Sequence, residues 1–335
     1  MAERDLTGVV LAAGSGTRLQ PLTFLRPKPL LPVAGQTLLD YNLDKLAAAG
    51  ASEAMIVIPG GDRAIPRAVG TRRFGMRIRC LPQPQPKGTG HALSLVKSLV
   101  SSTFFVIFSD NVTPWEVGRL LDRHRRTGAF ATLALFHAED PRRHGIAEVA
   151  GGRIVRLVEK PAHPATDLAS AGMFVLEPVI FDALCRLTES HGETHIVDAV
   201  QYLIDHGHKA SYRVLNVWRR NVNRPEDLLE SNRRLLASMT AAVRQKAARG
   251  PGCRIEPGAS IGRDVAMGAR CRIGGGAVIR NTIMLAGVSV GRGCDIRDCV
   301  LGEGAQVADG VALRRLVLGD GERAAESRAG GLFSG

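Results

Sequence analysis

The chain has 335 residues, of which 45% are hydrophobic and 4% aromatic, so it can bury the cores of two domains. It has no run of about 18 apolar residues and no N-terminal signal pattern, which predicts a cytoplasmic protein without a membrane span, and its six cysteines without a CxxC pair favour reduced thiols over disulfides or a zinc site. The net charge of +12 favours anionic substrates, and because the basic residues are spread out with few aromatic residues between them, nucleic acid is not an expected partner.

The first predicted element is a buried parallel strand at residues 9–13 that runs into a glycine-rich turn. Glycine has no side chain, so the backbone N–H groups of such a turn can approach an anion closely. Arg18 adds a planar set of donors that suits phosphate oxygens, and prolines hold the following loop extended on both sides of Lys28. We therefore expect a cradle for a triphosphate, and its candidate nucleotide-binding residues are Ala13, Gly14, Ser15, Gly16 and Thr17.

Two familiar glycine loops do not fit this turn. A Walker loop requires Gly-Lys-Ser/Thr after its second glycine, whereas Thr17 and Arg18 follow Gly16. A dinucleotide-binding fingerprint requires a third glycine where Leu19 stands. It also requires an acidic residue at the end of the next strand, whereas the nearest candidate, Asp40, lies in a helical pattern. The turn therefore predicts phosphate binding of another kind.

An alternation of strands and helices follows the turn. Apolar residues at helical spacing predict a helix over residues 37–49, and apolar runs predict buried strands at residues 55–58, 76–81 and 104–108. This order indicates an α/β fold with a mostly parallel sheet and helices on both of its faces. Ligands of such sheets bind at the carboxyl ends of the strands, where the glycine turn also lies.

Polar segments follow two of these strands. After residues 76–81, glycines precede a helix and would allow a flat base to lie against the backbone, with Gln83 able to hydrogen-bond the edge of the base. After residues 104–108 comes Asp110, and a carboxylate at the carboxyl end of a buried strand, close to a phosphate loop, is placed to hold Mg²⁺.

Residues 14–23, GSGTRLQPLT, and residues 27–33, PKPLLPV, resemble the signature of the sugar-1-phosphate nucleotidyltransferases, also called nucleotide-sugar pyrophosphorylases. The resemblance implies a Rossmann-like catalytic domain that transfers a nucleotidyl group from a nucleoside triphosphate to a sugar-1-phosphate, uses Mg²⁺ and releases pyrophosphate. It implies that Arg18 holds the β- and γ-phosphates, that Lys28 bridges the α-phosphate and the incoming phosphate, and that Asp110 binds the metal. The segment that grips the nucleobase in this family is matched here by Gln83, Gly88 and Thr89.

The resemblance extends to the family's two sugar-binding segments. Glu159 and Lys160 match a Glu-Lys-Pro segment, which implies that Glu159 contacts sugar hydroxyls and that Lys160 lies near the sugar phosphate. Gly172 matches an Asn-x-Gly segment in which Ser170 replaces the asparagine. Asn111, directly after the metal-binding position, is a further candidate for the sugar phosphate.

The main departure from the family concerns the second metal ligand. Counting back from Pro225 places Asn221 where relatives have a metal-binding aspartate. The bacterial N-acetylglucosamine-1-phosphate uridylyltransferases use an asparagine in a Val-Asn-Asn-Arg segment, which makes Asn223 the rival candidate. An amide oxygen can ligate Mg²⁺ but brings less charge, so we expect weaker Mg²⁺ binding rather than loss of activity.

The last third of the chain is an internal repeat. Aliphatic residues recur every six residues from Ile255, with glycine directly after three of them. This pattern predicts a parallel β-helix and resembles the left-handed hexapeptide helix of many pyrophosphorylases. We predict a catalytic domain at residues 1–231, a linking helix at 232–250, the β-helix at 251–320 and a disordered tail at 321–335. We also expect the β-helix to mediate homo-oligomerisation.

The sequence raises two alternatives to this enzymatic function. Many hexapeptide-repeat proteins are acetyltransferases with a histidine base in the β-helix, but no histidine follows His208. A catalytically weak regulatory subunit that binds a nucleotide sugar is the other alternative, because Ser109, Ser170 and Asn221 depart from the family pattern. The sequence does not define the nucleobase, nor whether the acceptor is a sugar or a cyclitol phosphate.

Overall fold

The computed structural model describes residues 6–190 and 193–330. The chain divides into two compact units. One contains the chain up to Gly14 together with Leu39–Arg219, and the other contains Ser15–Leu38 together with the chain from Arg220 onward. The second unit thus also contains the loop after the glycine turn, and the division into domains at residue 231 stays a prediction.

The first unit is built on one ten-stranded sheet. Its strands, in chain order, are β1 Leu6–Leu11, β2 Ala51–Pro59, β3 Arg72–Arg73, β4 Met76–Gln83, β5 Phe104–Phe108, β6 Ala131–His137, β7 Gly145–Ala150, β8 Arg153–Glu159, β9 Leu168–Leu176 and β10 Ala210–Val214. The spatial order is β7-β8-β10-β6-β9-β5-β1-β2-β4-β3.

The centre of this sheet is parallel and Rossmann-like, and its flanks are not. Strands β4, β2, β1 and β5 run parallel, as the strand and helix alternation predicts. Strand β9 is antiparallel to both β5 and β6, and β7 and β8 form an antiparallel pair. The sheet is therefore mixed, and the carboxyl ends of the central strands, including β1 and β5, share one edge.

Helices cover the sheet, and their bounds follow the apolar spacing. They are α1 Leu38–Ala48, α2 Ala64–Val69, α3 Gly88–Ser94, α4 Gly118–Thr127, α5 Ile180–Ser190 and α6 Ile196–Asp205. The apolar residues whose spacing predicted α1 are fully buried, namely Leu38, Leu39, Leu43 and Leu46. Gly50 follows the helix with a positive φ of 89°. In the part of the chain that the structure describes, no helix is long and apolar enough to cross a membrane.

The second unit begins its C-terminal part with two helices where one was expected. Helices α7 Pro225–Ser238 and α8 Ala241–Ala248 are separated by Met239 and Thr240, which have extended backbones. Two-residue strands at Pro32–Val33 and Gln36–Thr37 pair within the loop that belongs to this unit.

The repeat forms a parallel β-helix of three sheets. Its strands are β11 Arg254–Ile255, β12 Ser260–Ile261, β13 Ala266–Met267, β14 Arg272–Ile273, β15 Val278–Arg280, β16 Ile283–Met284, β17 Ser289–Val290, β18 Asp295–Arg297, β19 Val300–Leu301, β20 Gln306–Val307, β21 Ala312–Arg314, β22 Val317–Leu318, β23 Arg323–Ala324 and β24 Arg328–Ala329. One aliphatic residue from each short face enters the core, which explains the six-residue period.

The β-helix departs from a strict six-residue repeat at one corner, and it continues beyond residue 320, where we predicted its end. Ile255 pairs with Ile273, but Met267 pairs with Met284, so the coil shortens from 18 to 17 residues at a corner where Asn281 has a positive φ of 39°. Residues 321–330, which we expected to be disordered, carry β23 and β24, which continue two of the three sheets. The prediction of disorder was wrong for these residues, because strand pairing is made by the backbone and a polar, glycine-rich composition does not reveal it. Residues 331–335 lie outside the described residues.

Candidate active site

Lys28 packs against the glycine turn and restricts which residue can stand at position 16. Gly16 has a φ of 65°, and a Cβ atom there would lie 2.9 Å from the Cβ of Lys28. The Thr23 hydroxyl donates a hydrogen bond of 3.0 Å to the Gly16 carbonyl, which fixes the turn. A short 3-10 helix, Thr17–Leu19, then buries Leu19 and leaves Arg18 exposed. Only glycine fits at position 16, because it meets both the positive φ and the close approach.

Two predicted catalytic cations converge on one amide oxygen. Lys28 Nζ donates to Asn223 Oδ1 at 3.0 Å, and Arg18 Nη2 donates to the same oxygen at 3.2 Å. Lys28 is only 9% exposed, so its ammonium group is held in place rather than solvated freely. The structure therefore brings Arg18, Lys28 and Asn223 together within one unit.

Asn223 is itself held by the start of α7. Its backbone N–H donates to Asp227 Oδ2 at 3.0 Å, and the N–H of Arg224 donates to the same oxygen at 2.9 Å. A carboxylate in the first turn of a helix that reaches back to the N–H groups of the residues just before the helix fixes how the chain enters it, as in a capping box. Asn223 thus has a fixed backbone and a side-chain oxygen already bound by two positive groups. Asn221 lies two residues earlier, in the short strand Arg220–Asn221, and is half-buried.

In the first unit, Asp110 lies in the turn after β5. The Asn42 side chain, 1% exposed, donates to the carbonyls of Ser109 and Asn111 at 3.1 and 3.2 Å and braces this turn from α1. The Ser109 N–H donates to the Leu11 carbonyl at 3.0 Å, which ties the end of β5 to the end of β1. Asp110 is therefore a half-buried carboxylate on a rigid support.

The donor set suits a magnesium ion that is shared with phosphates better than a site built from protein alone. Among residues 6–190 and 193–330, no group of three or more His, Cys, Asp or Glu side chains is placed to hold a metal ion. Mg²⁺ in phosphoryl-transfer enzymes is held by one or two carboxylates, by water and by substrate phosphates. One half-buried carboxylate, Asp110, fits that pattern.

Asn111, Ser170 and Gly172, for which the sequence predicts a role toward the sugar phosphate, lie together. Asn111 Nδ2 donates to the Gly172 carbonyl at 3.3 Å, and the Gly172 N–H donates to Ser170 Oγ at 3.4 Å. Gly172 has a φ of 68°, and a Cβ atom there would lie 2.7 Å from the Phe108 ring. Glycine is required here because β9 runs beside β5 in the sheet, and the positive φ and the Phe108 ring leave no room for a side chain.

Sequence reasoning missed Arg219, which joins this group. Arg219 Nη2 donates to Asn111 Oδ1 at 2.9 Å, and its guanidinium lies 4.0 Å from the centre of the Phe136 ring. The pKa of His144 is lowered, chiefly because the ring is buried and then because Arg219 is positive. The available signal was the unusual pair of arginines after Trp218, where the chain departs from its relatives.

Glu159 and Lys160 form a pair of their own at the end of β8. Lys160 Nζ lies 3.3 Å from Glu159 Oε1, and Lys160 has a positive φ of 43°. The Lys160 N–H donates to the His144 carbonyl at 3.0 Å, and the His144 ring packs edge-on against Phe136 at 5.2 Å. The pair is therefore linked to Arg219 through two rings.

The segment assigned to the nucleobase has strong internal contacts. A Cβ atom at Gly88, whose φ is 86°, would lie 2.4 Å from the Thr194 carbonyl, so this glycine is required by packing. The Thr89 hydroxyl accepts the N–H of Ile196 at 3.2 Å. Gln83 Nε2 lies 2.9 Å from His91 Nδ1, which fixes the amide. These contacts give structural reasons for Gly88 and Thr89 that the sequence alone did not offer.

The family match, together with the fold, identifies a nucleotidyltransferase. The chain matches the family "Nucleotidyl transferase" over residues 7–238 and the "GMPPB C-terminal domain" over residues 243–327, and it belongs to the nucleotidyl transferase family.

Its similarity to named proteins is moderate. It is 35% identical to the glucose-1-phosphate thymidylyltransferase of Streptomyces griseus over 69% of this chain and 66% of that protein. It is 30% identical to the mannose-1-phosphate guanylyltransferase of Mycobacterium tuberculosis over 86% of this chain and 82% of that protein. The chain thus spans about two thirds of the length of the first of these.

A solved structure has the same fold. A Bacillus anthracis protein described as a glucose-1-phosphate thymidylyltransferase, with sucrose bound, superposes with a TM-score of 0.64 at 24% identity, over 70% of this chain and 96% of that one.

Proposed function

We propose that this protein is a sugar-1-phosphate nucleotidyltransferase that makes a nucleoside diphosphate sugar. A phosphate oxygen of the sugar-1-phosphate attacks the α-phosphorus of a nucleoside triphosphate, and a new P–O bond forms. The bond between the α-phosphorus and the bridging oxygen breaks, and pyrophosphate leaves with the electron pair. The observation that carries this proposal is the convergence of Arg18 and Lys28 beside the glycine turn.

The positive side chains would act by binding and orienting two polyanions. Arg18, exposed and planar, suits the β- and γ-phosphates, and the buried Lys28 suits the α-phosphate, where charge grows in the transition state. Holding the reacting groups in line accelerates the step without a covalent intermediate. Asn223 would hold the two cations side by side and fix their direction, because its oxygen accepts a hydrogen bond from each of them.

We assign Mg²⁺ to Asp110, and we prefer Asn221 to Asn223 as its second ligand. The bound ion would neutralise phosphate charge and act as a Lewis acid. The preference is supported by charge, because the Asn223 oxygen already faces two positive groups and a third beside them would be repelled.

The acceptor sugar phosphate is assigned to the cluster around Gly172. Asn111, Ser170 and Arg219 offer polar groups there, and Arg219 adds a positive charge suited to a phosphate. Glu159 and Lys160 remain assigned to sugar hydroxyls and phosphate. The relatives are named for different bases and sugars, so neither is fixed by the comparison.

The test is pyrophosphate release by the purified full chain, with five nucleoside triphosphates in combination with a panel of phosphorylated sugars and cyclitols. Magnesium-dependent release with one combination supports the proposal, and Lys28→Met should reduce it strongly. Release with no combination, together with tight binding of a nucleotide sugar, would instead identify the regulatory subunit. Light scattering on the same protein tests the expected homo-oligomer.

A further inference from the structure

A second concentration of positive charge lies far along the chain from the proposed catalytic residues. A cavity of about 400 Å³ lies between α7, α8 and the first coils of the β-helix, all within one unit. Its lining includes four arginines and one acidic residue, namely Arg233, Arg244, Arg263, Arg280 and Asp264. None of these residues belongs to the glycine turn or to the clusters described above.

The lining keeps a net positive charge. Arg233 is paired with Glu230 at 2.8 Å, so it contributes little. Arg244, Arg263 and Arg280 make no ion pair with any residue in the described ranges 6–190 and 193–330. Three arginines and the single aspartate, Asp264, leave an excess of two positive charges in the lining. Like charges on one concave surface repel one another, and a bound anion relieves that repulsion.

We propose that this cavity is a binding site for a small phosphate-bearing ligand. The guanidinium group is planar and presents several donors in a fixed arrangement, which suits the oxygens of a phosphate as it suits those of a carboxylate. The volume of about 400 Å³ lies within the range of small-molecule sites. Excess positive charge around a concave surface also raises the local concentration of anions.

The ligand would connect three separate pieces of the unit. Arg244 is on α8, Arg263 lies between β12 and β13 in the first coil, and Arg280 ends β15 in the second coil. α8 also touches residues 15–38, the proposed nucleotide loop, because a Cβ atom at Gly35 would lie 2.2 Å from the Ala247 carbonyl oxygen. A phosphate held by these arginines would therefore fix α8 against both the β-helix and that loop.

The experiment measures the affinity of inorganic phosphate for the full chain by titration calorimetry at constant ionic strength. The parent should bind phosphate, and the double variant Arg263→Ala/Arg280→Ala should bind it at least ~10-fold more weakly, since each lost charged hydrogen bond is worth about one order of magnitude. Arg272→Ala is the matched control, because Arg272 is an exposed arginine of the same coil that does not line the cavity.

Lys28→Ala separates this site from the proposed active site. Phosphate affinity that survives Lys28→Ala but not Arg263→Ala/Arg280→Ala supports the proposal. Equal affinity in the parent and the double variant, loss of affinity in Lys28→Ala, or no binding by the parent would each overturn it. The variant Arg263→Gln/Arg280→Gln keeps a polar surface. A matching loss of phosphate affinity in this variant, with the circular dichroism spectrum of the parent, excludes misfolding as the cause.

Discussion

Arg26 links the proposed nucleotide loop to the β-helix, and breaking this link should impair nucleotide use. Its two terminal nitrogens lie 2.9 Å from Asp320 Oδ1 and 2.9 Å from Glu303 Oε2. The side chains of Arg26 and Asp320 are 14% and 10% exposed, whereas that of Glu303 is 58% exposed. The ion pair with Asp320 therefore contributes most of the stabilisation. The change we choose is Arg26→Met, which removes the charge and keeps most of the aliphatic stem.

The size of the effect follows from this burial. Removing one partner of a buried ion pair costs about 3–5 kcal/mol, and an exposed pair is worth about 0–1 kcal/mol. Asp320 keeps a hydrogen bond from the Glu303 N–H at 2.7 Å and some contact with solvent, so we take about 2 kcal/mol as the loss. Because 1.4 kcal/mol is a factor of ten, the ratio of ordered to open loop should fall by roughly 30-fold, and kcat/KM for the nucleoside triphosphate should fall by up to that factor. Asp320→Asn should have a smaller effect in the same direction.

The assay combines steady-state kinetics with hydrogen exchange of residues 15–38. Arg26→Met should raise exchange in this loop, and Glu303→Gln should change kcat/KM by less than ~5-fold because that pair is exposed. Glu256→Gln is the control, since it breaks an exposed pair with Arg292 elsewhere on the β-helix. If Arg26→Met left both kcat/KM and exchange within twofold of the parent, the loop would not depend on the β-helix and the reasoning would be wrong.

Three further predictions concern the metal, the amide pair and the thiols. Asp110→Ala should abolish magnesium-dependent pyrophosphate release with an unchanged circular dichroism spectrum; a rate within a few-fold of the parent would exclude Asp110 as the ligand. Asn223→Ala should lower kcat/KM by roughly 30-fold, since it removes one part-buried and one exposed charged hydrogen bond, whereas Asn221→Asp should tighten Mg²⁺ in a metal titration; the opposite pattern would give Asn223 the metal role. Burial raises the pKa of Cys271 to about 11, so at pH 8 its thiol stays protonated and should react with a thiol reagent far more slowly than the exposed Cys185, as mass spectrometry of the labelled protein can check.

Much of the fold could be predicted because hydrophobic periodicity is a local property. The buried run at β1, the leucines of α1 and the six-residue period of the β-helix each report their own burial without knowledge of any distant residue. The glycine turn and Asp110 were also readable, since a turn residue after a buried strand lies at the ligand edge of a parallel sheet.

What the sequence could not determine is which distant residues share a contact. Arg18 and Lys28 meet Asn223 across separations of 205 and 195 residues, and no spacing in the chain indicates that the asparagine accepts from both. The same holds for Arg219 with Asn111, and for Arg26, whose acidic partners lie 277 and 294 residues away. The amino-acid pattern determined the elements and the chemistry available at their ends. Tertiary packing alone decided which charges neutralise each other and that the nucleotide loop belongs with the C-terminal unit, because such pairing depends on chain reversals that local patterns do not encode.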